Sequence, residues 1–197
     1  MKRLSVGLLL ILLLTMLVGC GSEPVSYEYD NFSNEKIITY KHRKHGEESD
    51  YAAVILFEYK MDNYTKYQVS YLSCTCRAPS ANYQHLLYVE LNNNNNSPDE
   101  ATIRNIAYQF WGDSEVNPEN GLTYEMIEKE FLPYLQYKSK AEIDALITLK
   151  DIKDAEPVIR NGKEYEFIDA YTGATVSVDN TISVLQALFD YHVDKYY

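Results

Sequence analysis

Near the C-terminus the chain reads DAYTGATVSVDN, Asp169 to Asn180. Small and hydroxyl-bearing residues gather here, between a strand-like and a helix-like stretch. Gly173 allows a tight turn with positive φ, and Ala174 keeps bulk away from the backbone. Amide groups at a helix start lack intrahelical acceptors and, with the helix dipole, favour anions. Thr172, Thr175 and Ser177 add hydroxyls. The pattern fits two arrangements, an anion nest suited to a phosphate and an ordinary Ser/Thr helix cap.

A second candidate is Cys74-Thr75-Cys76. Alternation along a strand places both sulfurs on one face. Outside the cytoplasm such thiols oxidise, and a bridge across one residue is strained and redox-labile. The competing reading is two small residues ending a strand. A closed zinc site is not assembled by these two cysteines and the nearby His85, and no metal site is expected.

The elements that must hold these residues are legible in outline. Four strand-like runs, residues 36–41, 51–60, 66–73 and 85–91, follow one another without helices and predict an antiparallel meander, with 51–60 at its centre. Asp62-Asn63 marks a turn. The run Asn92–Asn96 reads as a surface loop. Ser97-Pro98-Asp99-Glu100 has the form of a capping box. The spacing of Ile103, Ile106, Ala107 and Phe110 predicts a helix ending at Gly112, with Trp111 as a core residue there. Residues 124–135 read as a second helix, with Pro133 leaving its end open. A further capping box at Ser139–Glu142 starts a third. Val158–Ile168 reads as a hairpin about a type I′ Asn161-Gly162 turn, running directly into the Thr-Gly-Ala-Thr motif. Val178, Ile182, Leu185, Phe189 and His192 then predict a final helix from near Ser177 to Tyr197, with imidazolium at His192 suiting its C-terminus. The fold class is therefore α+β, an antiparallel sheet packed by three or four helices. Lys41-His42-Arg43-Lys44-His45 reads as a solvated basic loop. Tyr171 suits either a ligand ring or the core beside the turn.

DAYTGAT resembles the flavin-attachment motif of the FMN-binding domain family, Asp-x-x-(Ser/Thr)-Gly-Ala-Thr, at Asp169, Thr172, Gly173, Ala174 and Thr175. That family includes the FMN-carrying subunits of sodium-pumping NADH:quinone reductase and of Rnf complexes, and small extracytoplasmic electron-carrying lipoproteins. The resemblance covers roughly residues 158–197. It implies FMN joined to Thr175 by a phosphoester, installed by a flavin transferase that consumes FAD and releases AMP, with Asp169 and Gly173 needed for recognition. It further implies an electron carrier, not a catalyst with its own substrate.

The N-terminus points to the same compartment. Lys2 and Arg3 precede an apolar run, Leu4–Val18, ending in Leu-Val-Gly-Cys20. The run is short for a spanning helix, which needs about 20 residues, and has the order of an export signal. LVGC resembles a bacterial lipobox, which implies diacylglycerol on Cys20 and cleavage before it. Two acyl chains anchor stably. The expected organisation is a signal peptide at 1–19, an anchored tether at 20–34 and an FMN-binding domain at 35–197, held on the extracytoplasmic face of the cell membrane. Loss of Lys2 and Arg3 leaves 16 basic against 29 acidic residues, a formal charge of −13, which argues against nucleic-acid partners. Electrons are expected from a quinol or membrane flavoprotein and are passed to an extracellular or envelope acceptor. The competing readings are a non-redox binding lipoprotein and an accessory subunit of a membrane redox complex.

Overall fold

In the computed structural model, five strands follow one another along the chain and pair in the same order. They are β1 (Ile37–Lys44), β2 (Glu47–Lys60), β3 (Tyr64–Cys74), β4 (Tyr83–Asn92) and β5 (Ile103–Phe110), all antiparallel. The structure describes residues 36–44, 46–74, 83–93, 97–112 and 122–197. The expected signal peptide, tether, lipid-bearing Cys20, Cys76, His45 and the loop asparagines 94–96 lie outside these residues.

The meander is as the alternation dictates, with β3 rather than β2 at its centre. Met61 N–H donates to Tyr64 O at 2.8 Å across the predicted Asp62-Asn63 turn. Ile38, Tyr40, Ala53, Ile55, Tyr67, Val69, Tyr71, Leu87 and Val89 are buried on one face. That face is covered by the last helix. Besides single 3₁₀ turns at Pro98–Glu100 and Leu149–Asp151, the described residues hold four longer helical segments: α1 (residues 124–135), α2 (Lys140–Asp144), α3 (Phe167–Ala170) and α4 (Thr175–Tyr196). The fold is α+β, with a second, two-stranded sheet of β6 (Val158–Arg160) and β7 (Lys163–Tyr165).

α4 presents Val178, Ile182, Leu185, Phe189 and His192 to the sheet, all with no exposed surface. Each large apolar side chain buried this way stabilises the packing by about 1.5–3 kcal/mol, and Phe189→Ala, which also leaves a cavity, would cost about 3–5 kcal/mol. The Ser139 capping box that starts α2 is present with both of its hydrogen bonds. Asn161 (φ 51°) and Gly162 (φ 75°) form the predicted I′ turn.

Four expectations are corrected. Residues 103–110 are a strand, not a helix. Two register shifts in the β4–β5 ladder leave Arg104 and Gln109 as extra residues, so inward-facing Ile103 and Ile106 fall three apart without helical winding. Ser97-Pro98-Asp99-Glu100 forms only a 3₁₀ turn, Pro98–Glu100, and the Ser97 side chain caps nothing. Gly112 ends no helix; a Cβ there would lie 2.2 Å from Gln84 O, so the close approach of two backbones requires glycine. The basic run is strand β1 as far as Lys44, and His42 is buried, stacked on Tyr51 with centroids 4.3 Å apart.

Candidate functional site

The Thr-Gly-Ala-Thr motif connects two helices. Strand β7 ends at Tyr165, and the single turn α3 comes between it and the motif, contrary to the direct strand-to-turn run expected. Asp169 is exposed in the first turn of α3, where a carboxylate complements the amide end of a helix. The chain then tightens: Thr172 N–H donates to Asp169 O at 3.2 Å and Ala174 N–H to Tyr171 O at 2.9 Å. Gly173 takes φ +104°, outside what an L side chain favours, so the glycine is required by the turn itself.

α4 begins at Thr175 with Ala174 as its cap residue, and no side chain caps its first amides. Val178 N–H donates to Ala174 O at 3.0 Å, the first bond of the helical ladder. The preceding amides, Thr175 to Ser177, have no acceptor within the helix. A helix of 22 residues thus opens on uncapped donors beside an exposed Gly173. Thr175 is half-buried, and its hydroxyl reaches Tyr171 O at 3.4 Å, a weak bond easily given up. Thr172 is exposed. Of the two arrangements compatible with the sequence, neither threonine caps the helix.

Ser177 faces the sheet. It is 2% exposed, and its Oγ accepts from Ser73 Oγ at 3.4 Å. Behind it runs a chain of hydrogen bonds. Gly112 N–H donates to His85 Nδ1 at 3.2 Å, which leaves the proton on Nε2, and Nε2–H donates to Ser73 Oγ at 2.8 Å. Burial pushes His85 down to about 3, so the ring is neutral. Trp111 lies against it with centroids 3.9 Å apart, just beyond β5 rather than at a helix end.

Tyr171 resolves to the core. It has no exposed surface, sits against Phe131 and Phe167 at centroid distances of 5.8 and 5.1 Å, and burial pushes its phenol well up. Arg160, from β6, places its guanidinium 5.5 Å from the Tyr171 ring. Its Nη1 donates to Ala170 O and its Nη2 to Glu130 Oε2 at 2.5 Å. Arg160 therefore ties the hairpin, α1 and the residue that leads into the turn. Sequence reading missed it, because a single Arg in a hairpin gives no sign of what it reaches.

Cys74 is buried at the end of β3, next to the Ser73 that reaches α4. Its proposed partner Cys76 lies outside the described residues. His192 is buried, and burial holds it down at about 4, so it is a structural residue, neutral in the core. Its Nδ1 accepts from the Tyr67 hydroxyl at 2.8 Å.

No family model, curated protein or solved structure matches this chain. The likeness to flavin-carrying domains therefore rests on Asp169, Thr172, Gly173, Ala174 and Thr175 themselves. Those residues fit a phosphoester. Thr175 is half-buried at a helix start whose amides lack a side-chain cap, and no Cβ crowds it at Gly173.

Proposed function

We propose that this chain is an extracytoplasmic lipoprotein that carries FMN covalently on Thr175 and passes electrons between a membrane donor and an envelope or extracellular acceptor. One observation carries the reading: the Asp-x-x-Thr-Gly-Ala-Thr pattern falls on a tight turn that ends at an uncapped helix start, with Thr175 as the first helical residue.

In the attachment step the Thr175 Oγ1 bonds to the FMN phosphorus of FAD. The pyrophosphate bond breaks, AMP leaves, and the threonine proton passes to a base of the flavin transferase. The uncapped amides at the start of α4 would hold the phosphate oxygens, and the helix dipole favours their charge. Gly173 leaves the turn open to the transferase, and Asp169 stands exposed on the approach. The flavin, once bound, supplies reversible electron transfer. The protein fixes its position, and a covalent bond keeps it on a protein facing the outside. A diacylglycerol at Cys20 would hold the carrier beside a quinol or membrane flavoprotein.

The test is coexpression of the chain with a flavin transferase, denaturation, and in-gel flavin fluorescence. Fluorescence is expected for the wild type and for Thr172→Ala, and none for Thr175→Ala. A wild-type band without fluorescence refutes the assignment.

A further inference from the structure

A cavity of about 100 Å³ opens beside the first turns of α4, between the β1–β2 hairpin, Thr148, Val176 and Asp179. Val176 adjoins Thr175 in sequence. Asp179 lies four residues on, on the same helix face as Thr175, and helical side chains lean back towards the N-terminus. The cavity thus lies along the first turns of the helix that opens at the proposed attachment residue, lined by its neighbour Val176.

Its wall holds donors and acceptors that are incompletely used. The Arg43 side chain is 12% exposed; its Nε binds Glu48 Oε1 at 3.1 Å and its Nη2 binds Gln186 Oε1 at 3.5 Å, while Nη1 is buried with no acceptor. A buried charged donor left unsatisfied is costly. Asp179, 9% exposed, accepts from Leu149 N–H through Oδ1 at 2.6 Å, which leaves Oδ2 with acceptor capacity. The charges at the wall are mixed: the carboxyl groups of Glu47, Glu48 and Asp179 stand against the cations of Arg43 and Lys44. Such a wall repels a free anion more than it attracts one. Hydroxyl groups suit it, because each both accepts from a guanidinium and donates to a carboxylate. A volume of about 100 Å³ suits a slender, hydroxyl-bearing chain better than a set of fused rings.

We propose that this cavity seats the polyol chain of the flavin joined at Thr175, with Arg43 and Asp179 binding its hydroxyls. The inference rests on the attachment reading above.

The test uses the flavinylated, isotope-labelled chain. Nuclear Overhauser contacts are expected between polyol protons and the methyl groups of Val176 and Thr148. Arg43→Met and Asp179→Asn, with folding checked by circular dichroism, are each expected to lower the fluorescence anisotropy of the linked flavin. Linked flavin without those contacts in the wild type overturns the polyol seat and leaves the attachment standing. A wild type that takes no flavin from the transferase refutes the attachment and the seat together.

Discussion

The Asn180 side chain of α4 closes a two-way pair with the backbone of Arg43: its Oδ1 accepts from Arg43 N–H at 2.6 Å and its Nδ2 donates to Arg43 O at 3.0 Å. The same Nδ2 reaches Ser73 O at 2.6 Å. One buried amide thereby joins edge strand β1 and central strand β3 to the helix that begins at Thr175. Removing it leaves three backbone groups without partners, each costing about 1–3 kcal/mol where buried. Asn180→Leu is expected to destabilise the domain by about 3–5 kcal/mol in urea unfolding. Asn180→Asp is expected to be nearly as damaging, since a carboxylate cannot donate to Arg43 O or Ser73 O. A loss under 1 kcal/mol in both would show that the helix is held elsewhere.

Acid should loosen the fold. Burial holds His85 at about 3 and His192 at about 4, below the free value of about 6.5, and lowers His42 as well. These rings are neutral in the fold and gain a proton more readily when unfolded. Their contribution is fully present above pH ~6.5 and is lost as pH falls towards the folded values. Asp179 acts in the opposite sense. Burial raises it to about 6, so its contribution is present below about pH 4 and lost as pH rises through 6. Each group contributes about 1.4 kcal/mol per pH unit in its window. Between pH 6 and 4 two strongly shifted histidines outweigh one aspartate. The stability measured by urea unfolding should therefore fall with acidification by about 1 kcal/mol per pH unit, and His192→Gln should flatten that slope.

The sheet's own closure can be tested at Gly112. An alanine Cβ would meet Gln84 O at 2.2 Å, and Gly112 N–H is the donor that fixes the His85 tautomer. Backbone cannot move aside as a flexible side chain can. Gly112→Ala should cost about 1–3 kcal/mol by overpacking, and should move the His85 ring resonances in NMR spectra. Unchanged His85 resonances would sever the link between this turn and Ser73.

What could be read from the sequence followed periodicity. The alternation in β3, the apolar runs of β2 and β4 and the three-and-four spacing in α4 mark elements with a buried face, so the meander and final helix were evident. β5 was not, because its extra residues Arg104 and Gln109 gave Ile103, Ile106 and Phe110 a helical spacing. His42 looked solvated amid Lys41, Arg43 and Lys44, yet strand alternation turns it onto Tyr51. At the site, the turn at Gly173 and the helix start were legible from residue type. Ser177's turn towards Ser73 was not, since a hydroxyl at a helix start gives no sign of which side the sheet lies on. The cavity at Arg43 and Asp179 joins residues 136 positions apart, and no local pattern connects them.

Arg160 offers a way to separate the stability of the domain from the shape of the turn. Its guanidinium is 1% exposed, paired with Glu130 and donating to Ala170 O just before the Thr-Gly-Ala-Thr turn. Arg160→Met keeps the buried volume and removes both links. Glu130, 26% exposed, can recover some hydration, so the loss should fall below that of a fully buried pair, at about 2–3 kcal/mol against 3–5. With its carbonyl released, Ala170 no longer fixes where Gly173 and Thr175 stand. The initial rate of FMN incorporation by a transferase should then fall more steeply than the folded fraction at the same temperature. If incorporation simply tracks the folded fraction, Arg160 stabilises the core without shaping the turn. If Gln at position 160 restores the rate, a donor to Ala170 O is what the turn requires.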